Sequence, residues 1–210
     1  MTEIHNVSFG AKYVDNIKVK KYHKWINSYL PQKSCLVQID FGNNNDLEAI
    51  REVCDTWRWS PFLRFMQNAG KAEKVFALTL QKKKFENLEP EKLLGFAKIR
   101  EYAEKDGNIE FLQVNPKYIN VGEERISRPK YKGNGTAILK LLQKKYEHLS
   151  LLSVDEPGID DFYRSNGFIL EDGWIGLFNW DKPRKISQES LTDVFLKYIR
   201  NLFDIKKNGI

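Results

Sequence analysis

Short apolar blocks alternate with charged or glycine-containing turns along most of the chain, and the period of each block predicts an element. Cys35 to Asp40 is a compact apolar run followed by Phe41-Gly42-Asn43-Asn44-Asn45, which predicts a strand and then a turn. From Asp46 to Trp57 the period changes: Leu47, Ile50 and Cys54 recur at three-to-four spacing, as on one face of a helix. Ser60-Pro61 is a helix start and Gly70 a stop. Val75–Leu80, Leu93–Tyr102 and Ile109–Val114 read as strands, with Lys82–Lys92 as a charged connection and Gly107-Asn108 as a turn. Downstream, the pattern predicts a helix over Thr136–Tyr146, a buried strand over Leu149–Val154 and a short helix over Ile159–Asn166 closed by Gly167. Two last strands, Phe168–Leu170 and Trp174–Trp180, flank an Asp172-Gly173 turn.

The ends are patterned differently. Lys18–Leu30 carries Tyr22, Trp25, Ile26 and Tyr29 at helical spacing and stops at Pro31, which predicts an N-terminal helix. Near the C-terminus, Ser190-x-x-Asp193 is a capping signal. Leu191, Val194, Phe195, Tyr198, Ile199, Leu202 and Phe203 then form an amphipathic stripe, expected to pack on the body rather than on a second copy. The expected organisation is a basic N-terminal extension (1–34), a central domain (35–182) and a C-terminal amphipathic helix (183–210).

With 210 residues, 41% hydrophobic and 30% charged, the chain has the composition of a globular domain with extensions. No stretch approaches the roughly 18 apolar residues of a membrane-spanning helix, and the N-terminus lacks a secretory pattern. Cys35 and Cys54 define no disulfide framework, and a cytoplasmic address without membrane contact is expected. His5, His23 and His148 have no metal-ligand spacing, so no metal is expected. The net charge of +6 is uneven. Lysines outnumber acids before Ser34, and no acid occurs between Arg125 and Lys145, so an anionic partner or cofactor is expected.

The richest segment is Lys130-Tyr131-Lys132-Gly133-Asn134-Gly135-Thr136-Ala137, which follows a strand and opens a helix. Two glycines allow tight backbone turns and close ligand approach. The helix start then offers unpaired N–H groups and a positive dipole end to an anion. No Gly-Lys-Ser/Thr closes the loop, so it is not a nucleotide P-loop, and the dinucleotide pattern G-x-G-x-x-G fails at Ile138.

This segment resembles the acetyl-CoA signature of the GNAT superfamily of N-acetyltransferases, Gln/Arg-x-x-Gly-x-Gly/Ala, with Lys130 in the Gln/Arg place. Two more family elements follow the same order: the strand Ile109–Pro116 ahead of the loop, and Phe162-Tyr163-Arg164-Ser165-Asn166-Gly167-Phe168 after the next strand. The resemblance spans about Cys35 to Trp180. It departs in a longer spacer, including Tyr118–Arg128, and in Pro157, where the family often has asparagine.

The resemblance implies a mixed α/β (α+β) fold, in which a central mixed, mostly antiparallel sheet is flanked by helices. It implies transfer of an acetyl group from acetyl-CoA, as co-substrate, to a primary amine by direct attack. By the same resemblance, the segment Lys130, Lys132, Gly133, Asn134, Gly135 and Thr136 would hold the pyrophosphate, and the backbone of Gln113 and Val114 the pantetheine arm. Tyr163 would donate a proton to the departing thiolate. Glu110 is the candidate base for the attacking amine, on the expectation that Glu110, Leu112 and Val114 share a strand face. Trp57 and Trp59 are the candidate acceptor-side aromatics. The acceptor is open between a small amine, a protein amine and an aminoacyl-tRNA, and the assembly between monomer and homodimer. The competing reading is a basic binding module for nucleic acid or protein on a GNAT-like scaffold without catalysis.

Overall fold

The computed structural model describes residues 11–56, 72–82, 87–118, 128–154, 158–173 and 175–183. Among them, nine strands form one sheet in the order β6-β1-β2-β3-β4-β5-β7-β9-β8. The strands are β1 (Lys12–His23), β2 (Ser28–Gln38), β3 (Glu73–Thr79), β4 (Leu93–Ala103) and β5 (Asp106–Val114). They continue with β6 (Tyr131–Lys132), β7 (His148–Leu152), β8 (Ile169–Leu170) and β9 (Leu177–Asp181). The helices are α1 (Asn44–Thr56), α2 (Asn134–Lys145) and α3 (Ile159–Ser165). All neighbouring strands run antiparallel except β5 and β7, which are parallel and joined through α2. The mixed, mostly antiparallel sheet flanked by helices is thus the architecture expected from the sequence.

Strand alternation divides the core between the two faces. Val37, Val75, Ala77 and Phe96 turn toward Ile50 and Val53 of α1. Leu36, Phe76, Ala97 and Ile99 turn toward Ile138, Leu139 and Leu142 of α2. Asp46, in the first turn of α1, is fully buried, and its carboxylate accepts the Leu88 N–H at 3.0 Å, tying the β3–β4 connection to the helix. Burial pushes that carboxyl up, opposed by backbone donors from Leu88 and Ala11. No helix of the described residues is long and apolar enough to cross a membrane.

Two expectations change. Lys18–Leu30 is a β-hairpin rather than a helix, and the 34/35 boundary falls inside β2. The alternation Ile17, Val19 facing the α2-side core outweighs the helical spacing of the aromatics, and Asn27 takes the left-handed turn conformation at φ 52°. Pro31 sits where β2 has β1 on one side but has not yet met β3, whose pairing starts at Cys35.

The second change concerns the β4–β5 turn, which lies at Glu104-Lys105 rather than Gly107-Asn108. Gly107 is inside β5 because a Cβ there would lie 2.7 Å from Ile99 Cγ2. The predicted helix after Ser60-Pro61 and the C-terminal helix lie outside the described residues.

Gly95 plays the same packing part more strictly. A Cβ there would meet the Gln113 carbonyl oxygen at 2.6 Å and Ile138 Cδ1 at 3.0 Å, so β4, β5 and α2 close on bare backbone. Gly95→Ala should destabilise the fold by about 1–3 kcal/mol, as overpacking of a close-packed core does. Chemical denaturation checks this, with the largest effect expected on the midpoint rather than the slope.

Candidate functional site

The parallel pair β5–β7 is in register from Asp106↔His148 to Ile109↔Leu151 and no further. Beyond Ile109, β5 continues to Val114 and pairs only with β4, through Phe111↔Lys98, Gln113↔Phe96 and Val114↔Gly95. The two parallel strands therefore part at their carboxyl ends. One backbone edge of residues 112–114, including the expected Gln113 and Val114, has no strand partner among the described residues. An extended ligand can pair with such an edge as an added strand would.

The parting coincides with a bulge. Lys98 opposes Phe111 and Ile99 opposes Ile109, which leaves Glu110 as the extra residue. Ile109 and Leu112 face the α2-side cluster, while Phe111 packs on the α1-side cluster. Glu110 does not share a face with Leu112, as plain alternation predicted, because the bulge shifts it to the α1 side with Phe111. There it lines a cavity of about 250 Å³ together with Lys98, Arg100 and Phe111. Its Oε2 lies 3.0 Å from Lys98 Nζ and its Oε1 2.7 Å from Arg100 Nε. Both cations also engage Glu73, at 3.0 Å each. Lys98 is buried within this group, and its ammonium needs both carboxylates nearby to be tolerated there. Sequence reading missed Lys98, Arg100 and Glu73. Their signal was a lysine and an arginine two apart within an otherwise apolar strand.

The chain leaves β5, passes through β6 beside β1 and then enters α2, whose early turns lie over the carboxyl end of β5. Ile138, in the second turn of α2, lies against Gly95, whose strand partner is Val114. Gly133 precedes the helix at φ 77°, with open space where a side chain would go. The first intrahelical bond beyond it is Ala137 N–H to the Gly133 carbonyl at 2.9 Å. The N–H groups of Asn134, Gly135 and Thr136 therefore have no helical acceptor. No side chain caps them. Asn134 is itself buried, with Oδ1 lacking a hydrogen-bond partner.

Gly135 serves a purpose that the motif did not reveal. A Cβ there would meet the Phe162 ring at 3.0 Å, so its bareness lets α3 pack on the start of α2. The Lys130 and Lys132 ammonium groups lie over the Tyr131 and Tyr29 rings, at 5.7 and 4.7 Å from the centroids.

The segment leading into the loop is held by the N-terminal hairpin. Tyr131 and Lys132 pair with Lys21 and Lys20 of β1, and the Tyr22 N–H donates to the Lys130 carbonyl at 2.9 Å. The Tyr29 hydroxyl donates to the Pro129 carbonyl at 2.9 Å, and Arg128 donates to the Tyr22 hydroxyl at 2.8 Å and to Asn27 Oδ1.

Tyr163, on α3 next to Phe162, is wedged among Phe162, Phe168 and Phe178 at centroid distances of 5.2, 5.9 and 5.6 Å. Its hydroxyl has no hydrogen-bond partner among the described residues. Burial pushes the phenol up to about 12, so it is a protonated donor at neutral pH. Trp57 and Trp59, and most of the spacer between Tyr118 and Arg128, lie outside the described residues.

The structure was compared with solved ones. It is similar to the N-acetyltransferase PseH of Campylobacter jejuni, at 16% identity and a TM-score of 0.45, over 70% of this chain and 99% of that one. PseH in complex with acetyl coenzyme A is matched at 16% identity and a TM-score of 0.44, over 70% and 99%. Arabidopsis thaliana NAA60 in complex with a bisubstrate analogue is matched at 15% identity and a TM-score of 0.42, over 70% and 97%. No family model matches the chain, and no curated protein matches it in sequence.

The raised Tyr163 phenol has a consequence for stability. The folded state keeps its proton above the ordinary tyrosine value of 10, while the unfolded chain loses it there. Stability from this group is complete below pH 10 and declines as pH rises from 10 toward 12. The decline is at most about 1.4 kcal/mol per pH unit. The stability difference between wild type and Tyr163→Phe, measured by denaturant unfolding, should be constant from pH 7 to 9 and should shift in favour of the variant at pH 11.

Proposed function

We propose that the chain is an acetyl-CoA-dependent N-acyltransferase that moves an acetyl group to a primary amine by direct attack. The observation that carries this reading is one juxtaposition. Unpaired N–H groups at the start of α2 stand at the mouth where β5 parts from β7, and Tyr163 lies on the helix packed against that start. A diphosphate at the helix start gains from the donors and from the positive dipole end. From there an acyl-bearing arm lies along the edge of residues 112–114, with amide-to-amide pairing. The open space beside Gly133 fits such a ligand.

The chain's own residues then have separate tasks. The β5 edge orients the acyl carbonyl for attack, a positional gain that needs no covalent enzyme intermediate. Glu110, turned by the bulge to the α1 side, accepts the proton of the incoming ammonium through water, using oxygen lone pairs that Lys98 and Arg100 leave free. Tyr163 supplies a proton to the departing thiolate. Its phenol is poorly acidic, and a thiolate is a leaving group that tolerates a weak donor. A binding module without catalysis would have no use for a buried phenol that has no hydrogen-bond partner among the described residues, on the helix packed against the start of α2.

Acetyl-CoA should raise the melting temperature in a concentration-dependent way, because only the folded chain presents this cradle. Thr136→Asp separates ligand binding from folding. A carboxylate in the first turn favours the helix but repels a diphosphate, so the apo protein should melt no lower while affinity falls at least about tenfold. Tyr163→Phe should leave the thermal shift intact and lower thiol release in an amine screen by about a hundredfold. An unchanged rate removes Tyr163 from the proton-donor role, and a full shift in Thr136→Asp removes the helix start from the binding site.

A further inference from the structure

We infer that the outer half of the β1–β2 hairpin is a docking surface for single-stranded nucleic acid, adjoining the proposed acyl-transfer site at Lys132. The hairpin runs past the point where β2 leaves β3, so its outer part is a ribbon with one dry face and one wet face. The dry face carries Ile17 and Val19 into the α2-side core. On the wet face, strand register brings cations into line. Lys18 opposes Lys33, and Lys20 lies between Pro31 and Lys132. All four lysines are exposed. No acidic side chain pairs with them among the described residues. The hairpin's one acid, Asp15, is 2.9 Å from Lys144 of α2.

Charge alone would suit any polyanion, and aromatic placement narrows the choice. At the ribbon tip Trp25 is 79% exposed, with its ring edge-on to His23 at 6.3 Å. A single exposed apolar side chain is ordinary by itself, and Trp25 carries weight only through its place at the end of the lysine rows. Tyr22 and Tyr29 continue the lysine rows toward that tip, with the Lys132 ammonium over the Tyr29 ring. Successive same-face positions along a strand are about 6.6–6.8 Å apart. A row of cations at that interval ending on a bare ring is the combination that holds a sugar-phosphate chain and stacks an unpaired base. A duplex would offer phosphates but no open base for Trp25. An anionic lipid surface would take the indole without a base.

The experiment uses the full chain and a fluorescently labelled 12-nucleotide oligoribonucleotide, its deoxy counterpart and vesicles containing phosphatidylserine. Binding is followed by anisotropy and by co-sedimentation between about 50 and 200 mM KCl. Four phosphate contacts predict a slope of log affinity against log salt near −3. Lys18→Glu/Lys33→Glu should weaken oligonucleotide binding about tenfold or more and flatten that slope by about 1.4. Trp25→Ala should weaken it about tenfold with the slope unchanged, since stacking releases no counterions. A preference for the ribo- over the deoxyribo-strand would assign the source as RNA, and the reverse as DNA.

Three results would overturn the inference: no binding to either strand at 50 mM KCl, the same affinity in the charge-reversed protein, or loss of vesicle binding alone in the variants. The acetyl-CoA thermal shift is measured on the same proteins and should be unaltered, because neither Lys18, Lys33 nor Trp25 belongs to the glycine loop. If the double variant fails to fold, Trp25→Ala decides the matter, its exposed ring being dispensable to the core.

Discussion

The strand pairing that stops at Ile109 and Leu151 is the constraint on which this molecule depends. A parallel pair kept in register to its ends would bury its edges and leave α2 above a closed surface. Here a single extra residue, Glu110, breaks the ladder where β7 is about to end. Among the described residues, 112–114 of β5 pair with β4 alone. The bulge achieves two things with one insertion. It opens a backbone edge toward β7, and it reverses the side-chain alternation so that a carboxylate faces α1 instead of the α2 core.

The parted strands need a stable frame, and the sheet supplies it on both flanks. Gly95 allows β4 to close on Gln113 and Val114, which holds the end of β5 against β4. The buried Lys98, shared by Glu73 and Glu110, joins β3, β4 and β5 across the same region. Such a pair contributes little net stability after desolvation, but removing one partner leaves a buried charge unmatched. The group therefore fixes geometry more than it adds stability. On the other flank the hairpin clamps the approach to the glycine loop through Tyr22, Tyr29 and Arg128. What looked like an appended basic segment is a structural part of the loop's support.

The fold was legible where one signal dominated. Leu47, Ile50 and Cys54 gave α1, and the run from Thr136 to Tyr146 gave α2 within two residues. It was illegible where two periods competed. Tyr22, Trp25, Ile26 and Tyr29 satisfy a helix, while Ile17 and Val19 satisfy a strand, and only contact with Leu36 and Tyr131, distant in sequence, decides between them. Gly107 and Gly135 were read as conformational glycines, yet both are bare because another side chain, Ile99 or Phe162, occupies the space. A sequence shows that a Cβ is missing but not what would have struck it. The face of Glu110 was misassigned for a related reason: bulges depend on the partner strand's register and leave no local mark.

The same alternation explains why backbone, rather than side chains, is suited to grip an anion at α2. Lys132 pairs with Lys20 in β6, so its side chain goes to the ribbon face, over Tyr29. Tyr131, one residue earlier, turns into the core. Gly133 then has no side chain to send anywhere, and its positive φ turns the chain so that the next N–H groups begin the helix. The lysines of this segment would add a diffuse positive field around a bound anion, while directed hydrogen bonds would come from amides whose positions are fixed by the helix itself. A donor held by backbone loses less freedom on binding than a lysine would, and this favours the helix start over the lysines as the gripping element.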